Sequence, residues 1–344
     1  MPKAVLFKSE ERFDAFAKKL AEHNIECDIL DFGNNSWLDY DFGSADILIY
    51  YPTFKFSSNH PLALYEVYDN LAHIKMLNPS ILMYPDPKII HFYNDKYKQY
   101  LYLNSMKHPM PETYPLYSKT SLDLAEKKLG FPMILKNRFG AGGDNVFQVN
   151  SRKELEKYYN LSKMNFFSFA AFTYLFSMFT KRIFLYHLIK EKKMNYPFLT
   201  TPLLAQKFIA HDSDIKTVVG NHKVVEAHWR LKAKDDMWKM NIDGGGIGQW
   251  SKIPSEVIAI SENLAKGLDV TWLNIDFIKG KNGYMITEFS PVWHHYAYKE
   301  KPTFVYKDDY NIDMPLEKAL DLEQIIVESM INGGKGRLDH HSSK

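Results

Sequence analysis

The first 93 residues alternate short apolar runs with amphipathic stretches, and this alternation constrains the fold more than any other feature of the chain. Residues 4–7, Ala-Val-Leu-Phe, make a strand-length run, and Phe13, Phe16, Ala17 and Leu20 then recur at helical spacing. Residues 27–30 read as a second strand and 46–51 as a third, closed by Pro52. A helix follows over 61–76, with Leu62, Tyr65, Val67, Tyr68, Leu71 and Ile74 on its stripe, and a fourth strand at 81–84 stops at Pro85 and Pro87. Strand and helix in turn predict a small α/β layer with a largely parallel sheet. The run at 4–7 meets Lys8, Glu10, Glu11 and Arg12 at once, so it is too short for a signal-peptide core. No uninterrupted apolar stretch reaches the ~18–20 residues of a bilayer span.

Composition narrows the function classes. The chain has 344 residues, with 43 basic and 41 acidic side chains and a formal net charge of +2. That balance argues against a protein built to hold nucleic acid, which carries a basic excess. Its single cysteine, Cys27, excludes an intramolecular disulfide framework and any multi-cysteine metal site, as expected of a reduced, cytoplasmic protein. Cys27 itself reads as a small core residue of the second strand.

Beyond residue 93 the pattern changes. A helix is predicted over 94–105, an extended linker through Pro109, Pro111 and Pro115, a short helix over 122–129, and a strand at 133–136. That strand runs into the glycine-rich stretch Phe139-Gly140-Ala141-Gly142-Gly143-Asp144, and 146–149 is the returning strand. A second block starts at 203–209. Strands 215–219 and 224–228 turn at Gly220-Asn221-His222, and a helix over 256–268 precedes strands 273–278 and 284–289, joined through residues 280–283. A last helix covers 316–330, and the polar tail 333–344 reads as disordered. The expected domains are 1–93, 94–205 with an aromatic insertion at about 160–195, 206–332, and the tail.

Two groups of residues suggest chemistry. Lys136, at a strand end before a glycine loop, can set an ammonium and several backbone N–H groups around a polyphosphate. The spacing is neither the dinucleotide fingerprint nor a Walker loop, and a glycine hairpin alone is more often only a turn. Asp276 and Glu288 fall on strands joined by a tight turn; paired antiparallel, their carboxylates can converge on Mg²⁺, which prefers hard oxygen ligands and keeps sites for water and phosphate. Taken alone, the pair equally describes two exposed acids on an ordinary hairpin.

The order of the pieces is more specific than any one of them. Asn94-Asp95-Lys96, then residues 131–136 with the glycine loop, Gln206-Lys207-Phe208-Ile209, Asp214-Ile215-Lys216, Trp229-Arg230, Asn241 with Gly244-Gly245-Gly246, Asn274-Ile275-Asp276 and Glu288-Phe289-Ser290 follow one another along about residues 90–295. This series resembles the ATP-grasp superfamily, in the branch of glutathione synthetase and the ribosomal-protein glutamate ligase. The resemblance implies an α/β fold of the α+β ATP-grasp type: a parallel pre-grasp domain followed by two α+β lobes that clasp ATP. It implies ATP phosphates held by Lys96 and Lys136 and covered by Gly140, Gly142 and Gly143. The main chain of Gln206, Lys207, Phe208 and Ile209 meets adenine, and Asp214 the ribose. It implies Mg²⁺ (or Mn²⁺) on Asp276, Glu288 and Ser290, with Arg230, Lys216 and Asn241 acting on the transferred groups. The implied reaction is ligation of a small-molecule or peptide-like carboxylate to an amine through an acylphosphate.

Three departures stand out. Ser290 occupies the place of the family's asparagine and is a weaker Mg²⁺ ligand. Lys216 stands for an arginine, keeping the charge and losing the fork. The segment 150–205 is longer than the family's usual connection. Rival readings are an ATP-grasp enzyme with another acceptor, carboxylating or phosphotransferring, and a nucleotide-binding, membrane-associated scaffold. Arg138 reads equally as a phosphate ligand or a solvated hairpin tip.

The long segment holds an anomaly. Aromatic residues make up 15% of the chain, and nine of them fall within 166–189. Two readings stand: a lid or packing element, including one buried in a homodimer interface, or a helix lying in the inner membrane surface with the lysines to residue 193 toward anionic headgroups. His294, His295 and His211 lack a partner at ligand spacing and read as surface histidines.

Overall fold

The computed structural model describes residues 2–9, 12–52, 62–140, 146–163, 176, 201–232, 246–292, 304–306, 312–315 and 321–332. The alternation at the start folds as it predicts. β1 (Lys3–Phe7), α1 (Phe13–Glu22), β2 (Glu26–Leu30), β3 (Ile47–Ile49), α2 (Leu62–Leu77) and β4 (Leu82–Tyr84) build a four-stranded sheet in the order β2-β1-β3-β4, every pairing parallel. Val5, Leu6 and residues 47–49 are buried, as continuous apolar strands are when both faces of a sheet are covered. Phe16 and Leu20 of α1 and Leu71 and Ile74 of α2 supply the covering contacts.

A short helix, α3 (Pro87–Ile90), leads to α4 (Lys96–Ser105). The Asp95 carboxylate caps α4, its Oδ1 accepting from the backbone N–H groups of Tyr97 and Lys98, both at 3.1 Å. The expected linker contains a strand, β5 (Thr113–Leu116), in spite of Pro115. It pairs on one side only, with β8 (Leu203–Lys207), as a proline-bearing edge strand can. α5 (Lys119–Leu129), β6 (Met133–Lys136), β7 (Val146–Val149) and α6 (Arg152–Ser162) complete this part, whose sheet runs β5-β8-β6-β7 and is antiparallel.

The third sheet carries the largest antiparallel surface: β9 (Ser213–Gly220), β10 (Lys223–Leu231), β11 (Ile247–Gln249), β12 (Trp272–Gly280) and β13 (Gly283–Ser290), in the order β11-β10-β9-β12-β13. The β9–β10 turn is the two-residue loop Asn221-His222, both at positive φ (48° and 62°), the conformation whose twist suits a tight hairpin. α7 (Ser255–Leu268) packs on one face through Val257, Ile258, Leu264 and Ala265, against Ile215, Val219, Leu273, Ile275 and Phe277. The other face of the sheet carries the polar residues treated below.

A two-stranded hairpin, β14 (Phe304–Tyr306) and β15 (Ile312–Pro315), precedes α8 (Leu322–Ile331). The expected start of this helix at residue 316 is corrected: Asp321 is its N-cap, accepting from the Gln324 N–H. Its placement also differs from the expected grouping with the preceding lobe. Leu322, Ile325, Ile326 and Met330 join the core of the parallel layer, and Glu323 pairs with Arg12. An apolar stripe packs on whichever layer offers an uncovered face, and sequence order does not choose it.

Of the aromatic segment 166–189, only Phe176 is described; it is helical and exposed. The lid, dimer and membrane readings therefore lie outside the described residues, as do Asn241, Gly142, Gly143, His294, His295 and the tail. Among the described residues no helix is long and apolar enough to cross a membrane.

Candidate active site

Strand register organises the site. On the face of the large sheet opposite α7, His228 lies across from Lys216, Lys216 from Asp276, and Asp276 from Glu288, one residue from each of β10, β9, β12 and β13. The antiparallel hairpin expected for Asp276 and Glu288 thus makes the two carboxylates direct cross-strand neighbours. A β-bulge follows immediately, between Asp276 and Phe277, and the Thr287 hydroxyl donates to the Asp276 carbonyl at 3.1 Å. Such bulges bend a strand and re-aim its side chains beside active sites.

Two cations hold Asp276. Lys216 Nζ lies 2.9 Å from Oδ1 and an Arg230 Nη 3.2 Å from Oδ2. Although burial opposes its ionisation, Arg230 and Lys216 keep the carboxyl well below the usual carboxylate range. Arg230 also grips Asp214 through two bonds, 2.5 and 2.9 Å, and the two carboxylates outweigh its burial and raise its pKa. Asp214, to which the resemblance gives the ribose contact, has both of its oxygens engaged by Arg230 across the strand pair. Replacing one partner of such a buried pair typically costs about 3–5 kcal/mol, because the other charge is stranded.

The smaller sheet delivers the lysines. Lys136, the last residue of β6, is half-buried, and desolvation lowers its pKa to about 8, with Lys96 adding to the effect and Glu288 and Asp276 opposing it. These influences show that Lys136, Lys96 and both carboxylates share one electrostatic neighbourhood. Lys96 is buried in the first turn of α4, and its ammonium donates to the Gly140 carbonyl. Gly140 has φ +123°, a region side chains avoid, and its N–H donates to Asn94 Oδ1 at 3.0 Å. The start of the glycine loop is therefore fastened to the residues just before α4.

Arg138 is half-buried and is not the solvated hairpin tip of the sequence reading. Its guanidinium lies on the Asp95 carboxylate, with Nε at 3.0 Å and Nη at 2.7 Å, and it stacks over Tyr97 and Phe139. Gln206, next to last in β8, has its amide donating to Thr113 Oγ1 at 2.9 Å, and the N–H of the last residue, Lys207, donates to the Glu112 carbonyl at 2.9 Å. Phe208 and Ile209 follow on the connection to β9, where His211 Nδ1 meets the Ile209 carbonyl at 2.7 Å, a local turn contact. Ser290 Oγ donates to the Val292 carbonyl at 3.0 Å, which leaves its lone pairs available.

Two contributors escaped the sequence reading. Gln99 of α4 pairs with the Phe289 main chain in both directions, 2.9 and 3.1 Å, and so pins the helix that carries Lys96 to the strand that carries Glu288. Nothing in the sequence marks it. His228 and Glu226, each 1% exposed, are joined at 3.1 Å between Nδ1 and Oε1. Their signal was legible: Glu226, His228 and Arg230 are polar at every second position of a strand, a polar stripe on one face.

The donors around Asp276 and Glu288 are all oxygen, which suits Mg²⁺ and not a thiolate- or imidazole-seeking metal. Among the described residues no group of three or more His, Cys, Asp or Glu forms a protein-only cage. Two neighbouring carboxylates match a hard cation that completes its shell with water and phosphate. Cys27 is half-buried, and desolvation raises its thiol to about 11, which disfavours the thiolate.

Comparison with solved structures decides the fold. The ATP-grasp ligase PsnB, solved with the precursor peptide PsnA2 and AMPPNP, superposes with a TM-score of 0.59 over 97% of this chain and 99% of that one, at 13% identity. The chain has the ATP-grasp fold. D-alanine–D-alanine ligase from Bacillus anthracis, another ATP-grasp structure, matches with a TM-score of 0.53 over 85% of this chain and 87% of its own, at 13% identity. Within the ATP-grasp group, residues 163–293 match the model of the RimK-like ATP-grasp domain. A probable alpha-L-glutamate ligase from Vibrio parahaemolyticus serotype O3:K6 (strain RIMD 2210633) is 30% identical over 92 residues, 26% of this chain and 30% of that relative's length.

Proposed function

We propose that this chain is an ATP- and Mg²⁺-dependent ligase that joins a carboxylate to an amine through an acylphosphate. The observation that carries the reading is the row Lys216–Asp276–Glu288 on the large sheet, with Lys136 of the smaller sheet in its electrostatic field and Lys96 close to Lys136. Lys96 and Lys136 bind the phosphates, and Mg²⁺, where bound on Asp276 and Glu288 with Ser290 nearby, neutralises phosphate charge. Arg230 grips Asp214 with its fork and reaches Asp276 through one Nη. Held in place by Asp214, it binds the carboxylate or the phosphoryl group it receives. Phosphoryl transfer asks for positioning and charge neutralisation, and this constellation supplies both. The amine then attacks the acyl carbon, the C–N bond forms, and phosphate leaves with the C–O electron pair. We assign adenine to the main chain of residues 206–209.

The carboxylate and amine classes follow from the relatives: one is described as a glutamate ligase, another was solved with a peptide. A peptide-like substrate in the cytoplasm, where ATP is at hand, fits both. A second reading, a nucleotide-binding scaffold, draws on one observation: both Asp276 oxygens are already engaged by cations.

ADP release against a panel of carboxylates and amines, with hydroxylamine added to trap the acylphosphate as a hydroxamate, separates the two. The ligase reading expects ADP release dependent on a carboxylate, and a hydroxamate. Nucleotide binding with neither product for any pair favours the scaffold.

A further inference from the structure

Two residues along each strand from the row of Asp276 and Glu288 lies a parallel one. Glu226 faces Val218, Val218 faces Asn274, and Asn274 faces Ser290 across β10, β9, β12 and β13. A bulge between Val224 and Glu226 sets this register; in an unbroken ladder Val225 would oppose Val218. The row is buried, Glu226 to 1% and Asn274 to 3% exposure. Two of its oxygens, Glu226 Oε2 and Asn274 Oδ1, have no hydrogen-bond donor among the described residues.

Neither oxygen is bare through an arbitrary orientation. The other Glu226 oxygen meets His228 Nδ1 at 3.1 Å, and Asn274 Nδ2 donates to the Val292 carbonyl at 2.6 Å. Flipping the Asn274 amide would set its oxygen against that carbonyl. Buried acceptors in native chains have partners, and a buried carboxylate oxygen asks for a cationic one. The adjacent row is the complement: Lys216 there, with Arg230 reaching Asp276 from the next row, suits phosphate and carboxylate, whereas a carboxylate and an amide oxygen suit an ammonium.

We propose that this row is the subsite for the acceptor's nitrogen, receiving a primary ammonium between Glu226 Oε2 and Asn274 Oδ1. The assignment as acceptor subsite rests on the ligase reading; the affinity for an ammonium rests on the row itself. Two residues of strand span roughly 7 Å, so a nitrogen bound here sits within a side chain's length of the groups around Asp276. Beside Glu226 on the same strand face, the Trp250 ring stacks on His228 at 5.6 Å between centroids.

The test is thermal unfolding of the full chain titrated with ethylammonium chloride, against tetramethylammonium chloride, which carries the charge without N–H donors. We expect a saturable rise in Tm with ethylammonium alone, abolished in Glu226→Gln and shifted at least tenfold to higher concentration in Asn274→Ala. Equal responses to the two salts, or Glu226→Gln titrating like the parent chain, would overturn the subsite. Should Glu226→Gln not fold, an unshifted Asn274→Ala overturns it equally. Amine-dependent ADP release by the parent chain is scored separately. Its failure removes the ligase reading and leaves the ammonium site standing, whereas ADP release without an ethylammonium response removes the subsite alone.

Discussion

Lys136 offers a test in which one substitution has opposite effects on stability and on binding. Desolvation puts its pKa at about 8, against an ordinary value of about 10.4. Without nucleotide, the unfolded chain binds the extra proton between those values, so stability rises with pH across the window from about 8 to about 10.4. Below about pH 8 the buried ammonium is a cost, and Lys136→Met removes it. The expected gain is about 1–3 kcal/mol near neutrality after allowing for solvent screening, read as a higher urea midpoint. Nucleotide binding goes the other way. A charge-assisted bond to phosphate contributes about 1.5–3 kcal/mol, which lifts the lysine's pKa in the complex by about one to two units. Affinity for ATP is then full below about pH 8. Above it, Kd climbs about tenfold per pH unit until the pKa of the complex is reached. Titration calorimetry in buffers of different ionisation heat should show uptake of about 0.5–0.7 proton per ATP at about pH 8.5 in the parent chain, and much less in Lys136→Met. An ATP affinity independent of pH from about 7 to 9.5, or the same proton uptake in the variant, would refute this assignment of Lys136.

Other expectations follow from the same geometry. Arg230→Met strands Asp214 and half-releases Asp276, and should cost about 3–5 kcal/mol by urea denaturation. Glu288→Ala is expected to abolish ADP release while nucleotide still binds; unchanged turnover would remove the metal assignment. Gln99→Leu loses both bonds to Phe289 and should destabilise the chain by about 1–3 kcal/mol, with weakened ATP binding by calorimetry as the second readout. Gly283→Ala forces a Cβ into φ +128°, 2.3 Å from Glu256 Oε1, and should lower Tm measurably in a thermal scan.

The parallel layer was legible because each of its elements carries its own period: apolar strands of three to five residues and stripes such as Phe16 and Leu20. The hairpin of Asp276 and Glu288 was legible for the same reason, since a tight turn between two strands leaves few registers. What was not legible came from pairings far apart in sequence. No local pattern says that Asp214 meets Arg230, or that Arg138 closes on Asp95, because those choices arise only when two strands or a loop and a helix are set side by side. Gln99 is an extreme case, a glutamine on a helix whose partner is a main chain 190 residues away. β5 was missed because Pro115 argues against a strand until its free edge is known.

The fastening of α4 has a mechanical consequence. At its first turn the helix is tied both ways, to the smaller sheet's loop through Asp95 and Arg138 and to the large sheet through Gln99 and Phe289. The chain also crosses between the two sheets at residues 208–212, beside the Glu112 carbonyl. Two fixed points define an axis. Those two points favour rocking of the smaller sheet, with α5 and α6 on its back, about that line over sliding across it, and the expected opening is least at Lys96 and Glu288.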